Sequence, residues 1–147
     1  MTLLEQFNQD PFAGLTGVEL IDLRPGYAQA RMEVEPQQLN AAGICHGGAI
    51  FTLADMAFGA AVNSHFTLTV SAWASVTFLK PARKGDTLFA TARELDNRKH
   101  LPFGEVRVTN QNNELIALFT SSGFRLEDQK IDADGLTPAS TATAHLA

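Results

Sequence analysis

Residues 44–55 read Ile-Cys-His-Gly-Gly-Ala-Ile-Phe-Thr-Leu-Ala-Asp (ICHGGAIFTLAD), and the chain runs on to Asn63 as MAFGAAVN without a charge. One carboxylate, Asp55, therefore stands inside an apolar run that opens on His46-Gly47-Gly48. Ile50, Ala54, Ala57, Phe58 and Ala61 recur at helical spacing, and the many alanines allow close packing against a sheet. The spacing predicts a helix over Gly47 to Asn63. Apolar residues point in nearly every direction around it, and Thr52, Asp55 and Gly59 make its one narrow small-or-polar stripe. A helix apolar nearly all round is a buried helix. A lone carboxylate there is costly unless it is hydrogen-bonded, paired or open to a cavity. Asp55 is thus either a satisfied structural acid or a functional one looking into a pocket.

The flanking sequence has a different period. Tyr27 to Val34 alternates, with Ala28, Ala30, Met32 and Val34 on one face, and Val18 to Leu23 precedes it across Arg24-Pro25-Gly26, so the two read as a hairpin. LTVSAWASVTFLK, DTLFATAREL, GEVRVTN and ELIALFTSSGFRL follow the helix as strand candidates. Turns at Pro81 to Gly85, Asp96 to Phe103 and Asn110 to Asn113 separate them. One long buried helix beside a mostly antiparallel sheet is an α+β arrangement. Thr2 to Asn8 is expected to form a short amphipathic helix that ends at Asp10-Pro11. The domain is expected to close near residue 127, with residues 128–147, small, polar and rich in Thr and Ala, as a flexible tail.

With 147 residues, one domain can bury an adequate core without disulfides or a structural metal. A net charge of −5 argues against a nucleic-acid groove, which needs clustered Lys and Arg. No apolar run approaches the roughly 20 residues of a membrane span. The start MTLLEQFNQDPFAGL lacks a signal-peptide pattern and Cys45 is the single cysteine, which together point to the cytoplasm. His46, His65, His100 and His145 show no metal-ligand spacing with Cys45, so no metal is assigned.

Gly47 and Gly48 in a first helical turn leave backbone N–H groups unhindered at the positive end of the helix dipole. That suits an acyl carbonyl or a developing oxyanion; it equally suits a turn that only needs room to pack. Cys45 beside His46 does not make a nucleophilic dyad, because sequence neighbours rarely point together and most free cysteines are small buried apolar groups.

LNAAGICHGGAIFTLADMAFGAAVNS (Leu39 to Ser64), followed by FLKPARKGDTL and ALFTSSGFRL, resembles the hotdog-fold acyl-CoA thioesterases of the PaaI-like group. The combination carries the resemblance: His-Gly-Gly, an acid eight residues after Gly47, Asn40 before it, and a later strand ending in Lys-Pro-Ala and Gly-Asp. It covers about Gly14 to Leu126. The resemblance implies a long helix wrapped by a curved, mostly antiparallel sheet, homodimers with composite active sites that pair into homotetramers, and hydrolysis of acyl-CoA without a cofactor. By position it implies that Asp55 is the catalytic carboxylate, that Gly47 N–H is the donor to the thioester carbonyl, and that Asn40 and His46 line the reaction centre. It further suggests Ser71 as a hydroxyl that helps place water, with Gly48 and Thr52 beside the substrate. Lys80, Arg83 and Lys84, in the turn after the third strand, are candidates for the CoA phosphates; Arg98 and Lys99 are a second cluster. Phe51, Met56, Phe58, Trp73 and Phe78 are read as core before they are read as an aryl pocket. Two other readings are a hotdog dehydratase or hydratase and a non-catalytic acyl-CoA-binding module.

Overall fold

The computed structural model of the chain describes residues 1–131. Two short helices, α1 (Leu3–Phe7) and α2 (Pro11–Thr16), lead into the hairpin β1 (Glu19–Arg24) and β2 (Tyr27–Glu33). After a 3-10 turn at Pro36–Gln38 comes the long helix α3 (Gly47–Asn63), then β3 (Thr67–Phe78), β4 (Thr87–Asp96), β5 (Phe103–Thr109) and β6 (Leu115–Lys130). The strands form one six-stranded antiparallel sheet in the order β1-β2-β4-β5-β6-β3, curled as a half-barrel around α3.

α3 begins and ends where the spacing predicts, and the reason is visible at both ends. His46 caps the start through its imidazole, which accepts from Gly48 N–H at 2.8 Å. At the far end the buried Asn63 donates to the carbonyls of Gly59 and Thr69 and accepts from Thr69 N–H, which fixes the turn into β3. Between the caps, Leu53, Ala54, Ala57, Phe58, Ala60 and Ala61 are buried against the sheet. Phe58 and Phe51 both pack on Phe119 of β6, the second pair edge to face at 5.3 Å. Truncating a ring as buried as Phe58 costs about 3–5 kcal/mol.

Two boundaries differ from expectation. Asp10-Pro11 does not only end α1; it starts α2, because Pro11 holds the first helical position and Asp10 Oδ1 accepts from Phe12 and Ala13 N–H at 3.0 and 3.1 Å. β6 runs past residue 127 to Lys130, and Ile131 is buried, its N–H bonded to Phe66 O at 3.0 Å. The remainder of the expected tail lies outside the described residues.

Among the described residues β3 is an edge strand, paired only with β6. Its register jumps between Ser71, opposite Gly123, and Trp73, opposite Ser122, so Ala72 is an extra residue. Such a bulge reverses which residues face inward. Thr67 and Thr69 are buried before it, whereas Ala74 and Val76 pack on the core after it.

Candidate functional site

The reversal of parity in β3 sets up the site. Ser71 and Phe78 are seven residues apart and would face opposite sides of a regular strand. With Ala72 inserted, both face α3. Ser71 Oγ donates to Asp55 Oδ1 at 3.2 Å, and the Phe78 ring lies over Gly47, where a Cβ would come within 2.9 Å of the ring.

Asp55 sits on the helix stripe that the wheel isolates, with Gly59 one turn on and Thr52 one turn back. Burial pushes its carboxyl above the usual range, the Ser71 hydrogen bond pulls it back, and the nearby charge of Asp10 raises it again. The N-terminal segment walls this stripe: Phe7 lies against Gly59, and Asp10, which opens α2, lies close enough to Asp55 to be felt. Thr52 Oγ1 does not reach outward; it donates to Gly48 O at 2.8 Å, the back-bonding typical of a helical threonine.

The N-terminus of α3 is built differently. Gly48 N–H is taken by His46 Nδ1, and Ala49 and Ile50 N–H both go to His46 O. A ring nitrogen that accepts in this way carries no proton, so His46 serves as a cap with its Nε2 left for other contacts. Gly47 N–H makes no hydrogen bond among the described residues. Gly47 lines a groove of about 560 Å³ walled by Asn40, Ile50, Phe78 and Leu79, with Lys80 on the lining. Asn40 shapes its own loop: its side-chain oxygen accepts from Ala42 and Ile44 N–H at 2.9 and 3.3 Å. Lys80 Nζ is held by Glu114 Oε2 at 3.0 Å.

The structure gathers the sequence candidates into three groups. Asp55 and Ser71 form one; Asn40, Gly47 and Lys80 form a second. His46, Gly48 and Thr52 line a third surface, against α2. Arg83 and Lys84 are exposed in the turn before β4 and line neither groove; Arg83 N–H is bonded to Asp86 Oδ2 at 2.8 Å. The second basic cluster is engaged locally, with Arg98 on Asp96 at 2.6 Å and Lys99 and His100 facing Glu127 at 3.9 and 3.8 Å. Cys45 is buried, and burial with the charge of Asp86 pushes its thiol up to about 11, which bars it as a nucleophile at neutral pH. Among the described residues no cluster of His, Cys, Asp or Glu is placed to hold a metal, and no helix is long and apolar enough to cross a membrane.

Three features escape a reading of residue identities. Phe78 and Trp73, read as core, are 52% and 54% exposed. Asp10 joins the surroundings of Asp55, and the signal for it was the Asp-Pro pair, which marks a helix start as readily as a helix end. The bulge at Ala72 left no mark in the sequence at all.

Residues 42–117 match the model of the Thioesterase superfamily. The chain is 35% identical to acyl-coenzyme A thioesterase PaaI of Escherichia coli over 82% of its own length and 86% of the relative's. The solved structure of E. coli PaaI, a protein of the phenylacetic acid degradation operon, superposes with a TM-score of 0.78 over 85% of this chain and 96% of that one, at 33% identity. The phenylacetic acid degradation protein PaaI of Thermus thermophilus gives 0.77 at 32% identity, covering 80% and 100%. A Streptococcus mutans protein solved with acetyl CoA gives 0.73 at 30% identity, covering 77% and 91%. With its buried helix opening on Gly47 and the one carboxylate that helix carries, the chain belongs to the thioesterase superfamily and has the hotdog fold of that family.

Proposed function

We propose that the chain hydrolyses acyl-CoA thioesters at a centre built from two copies, with Gly47 N–H of one and Asp55 of the other on the same carbonyl. The observation that supports this is the spacing along α3. Gly47 and Asp55 are eight residues apart on a continuous helix, about 12 Å at 1.5 Å per residue. No thioester carbonyl spans that. Two antiparallel α3 helices about a two-fold axis bring each Gly47 to the partner's carboxylate and repeat the pairing twice per dimer. The open edge of β3, with Trp73 exposed beside Ser71, is the surface available for such an approach. Pairing of dimers into tetramers and a cytoplasmic location complete the reading carried over from the sequence.

A thioester carbonyl is already electrophilic, so the site must hold the developing oxyanion and deliver an oxygen nucleophile. The unbonded Gly47 N–H, at the positive end of α3, suits the first task. For the second, Ser71 occupies Asp55 Oδ1 and leaves Oδ2 for water. Asp55 takes a proton from that water as its oxygen bonds the carbonyl carbon. Collapse of the intermediate breaks the C–S bond, the thiolate takes the proton, and free acid and CoA leave. Direct attack by Oδ2 would instead release CoA and form an anhydride, opened by water in a second step. Label found in Asp55 after a single turnover in heavy-oxygen water would establish the anhydride route, with water opening the anhydride at the Asp55 carbonyl. The phosphates of CoA are assigned to Lys80 at the Gly47 groove, with Arg83 and Lys84 as outlying charges; no cofactor is invoked.

Activity is tested by measuring thiol release from a panel of acyl-CoAs, and binding without release would replace this reading with a binding module. The composite centre is tested by hybrids. A Gly47→Pro ring would meet Phe78, so that chain also carries Phe78→Ala, and it is refolded together with Asp55→Asn. Half the dimers are then hybrids with one intact and one doubly damaged centre, which returns about a quarter of wild-type activity. Folded hybrids without activity would overturn the shared site.

A further inference from the structure

The N-terminal segment runs back along the central helix, with α1 and α2 both packed on α3. Phe7, in α1, lies 3.9 Å from where a Cβ of Gly59 would stand, and Phe12, in α2, lines one groove with Ala49 and Thr52. Gly59 and Thr52 are the turns on either side of Asp55, so the residues between Phe7 and Phe12 cross α3 at the level of the carboxylate. Asp10 is one of them, and its charge reaches Asp55.

Asp10 is fixed on three sides. Its N–H donates to Phe7 O at 3.1 Å, its carbonyl accepts from Gly14 N–H at 3.0 Å, and Oδ1 accepts from Phe12 and Ala13 N–H. These bonds need an oxygen and not a charge, since asparagine caps a helix as well as aspartate does. The charge is left unneutralised: no Lys or Arg precedes Arg24, and Asp10 forms no ion pair among the described residues. Other charges near the helix are engaged elsewhere. α3 itself carries none but Asp55; Glu5 of α1 accepts from Thr2 N–H, Glu94 of β4 lies on His65, and Arg125 of β6 donates to Asn97. Ser71 of β3 and Asp10 are the two groups whose influence reaches Asp55, and they act in opposite senses.

We propose that Asp10 is a positioning residue of the hydrolytic centre: a fixed negative charge, supplied by the N-terminal segment, that makes Asp55 a stronger base toward water without touching substrate. The inference rests on the hydrolase reading above. Asp55 alone receives the proton of the attacking water, and Asp10 sets how tightly that proton is held. The segment before the β1–β2 hairpin thus has a chemical role in addition to covering the helix.

The test is the pH profile of thiol release by Asp10→Asn, which keeps the cap and removes the charge. Asp55 then holds its proton less tightly, so the acidic limb moves to lower pH, while the plateau of kcat falls about two- to fivefold because a weaker base takes the proton less readily. A base loses less reactivity than proton affinity, so the two profiles cross: the variant is the faster enzyme in acid and the slower one at neutral pH. A structural loss lowers the whole profile and gives no crossing. Asp10→Glu, which keeps a charge at the expense of the cap, holds the limb near its wild-type place. Salt gives a second readout, since Asp10 is exposed and its field is screened. High ionic strength moves the wild-type limb toward that of Asp10→Asn and leaves the variant's limb in place. If the two limbs coincide at low salt, or if Asp10→Asn loses activity by one factor at every pH, Asp10 has no part in the reaction beyond its cap. The carbon-13 resonance of the Asp55 carboxyl, titrated in both chains, tells this apart from a failure of the hydrolase reading. No thiol release from the wild type overturns that reading and the role of Asp10 in it, whereas turnover with an Asp55 titration that Asp10→Asn leaves unchanged overturns Asp10 alone.

Discussion

The two ends of the stretch of α3 from Gly47 to Asp55 are built on opposite plans. At Gly47 the geometry is complete within one chain: the cap is made, the neighbouring N–H groups are spent, and the Phe78 ring rests where a side chain would be. At Asp55 it is unfinished, since a partly buried carboxylate has one described hydrogen bond, from Ser71, and a neighbouring acid that opposes its charge. A donor that must match an oxyanion gains from rigidity. A base gains from being held above its ordinary range, where it binds a proton well enough to take one from water. The difference shows stability given up at Asp55 and kept at Gly47.

The largest effect is expected from Asp55→Asn, which should lower kcat by about 10²-fold or more while leaving CoA binding intact. It should also raise Tm at neutral pH. The folded carboxyl holds its proton more tightly than the unfolded one, so its stabilising contribution is complete below the unfolded range and is lost as pH rises through the folded value. The gain in Tm should accordingly vanish in acid. Calorimetry showing no gain at neutral pH would place Asp55 in relaxed surroundings and erase the contrast between the two ends.

Gly47→Ala keeps the N–H but places a methyl group against Phe78. Displacement of the ring or of the helix start should cost about tenfold in kcat/KM, and Phe78→Ala should restore part of it in the double variant. Additive losses would mean that the ring and the glycine are not in register.

Ser71→Ala removes the hydrogen bond that lowers Asp55, so the acidic limb of the pH–rate profile should move to higher pH. The loss should be severalfold on the acidic limb and small in base, and Ser71→Thr should restore the profile. A uniform loss at all pH values would assign Ser71 to placing water alone.

The smallest effect concerns the groove at Gly47. Lys80→Met should raise KM for acyl-CoA about two- to fivefold, as expected for one exposed charge. Glu114→Gln, which frees the ammonium from its partner, should lower KM. Neither should alter KM for a short thioester without the nucleotide; an equal shift there would assign the pair to the fold.

Much of this was legible in the sequence because periodicity reports burial. The near-uniform apolarity of Gly47 to Asn63 defined α3, and alternation in Tyr27 to Val34 defined β2, because each pattern has one way to hide its side chains. The lone carboxylate on that helix stood out for the same reason. Residue identity did not disclose what depends on register. Trp73 and Phe78 look like core residues, yet an edge strand with a bulge leaves them half open. Nor did charge distinguish Lys80, which reaches a groove, from Lys84, which does not. That distinction belongs to the path of the turn after β3, which no local pattern encodes.

The bulge at Ala72 also sets what kinds of change the site can absorb. Ser71 meets Asp55 and Phe78 meets Gly47 only because the stretch between them holds an unpaired residue. Replacing Ala72 by another small residue alters a side chain and leaves the count intact. Removing it rotates one end of β3 by half a turn and parts either the hydroxyl or the ring from the helix, although no functional group has been lost. Along this strand the geometry therefore depends on length more tightly than on spelling. Substitutions can accumulate between positions 71 and 78, whereas a single-codon deletion there uncouples the two ends of the site in one step.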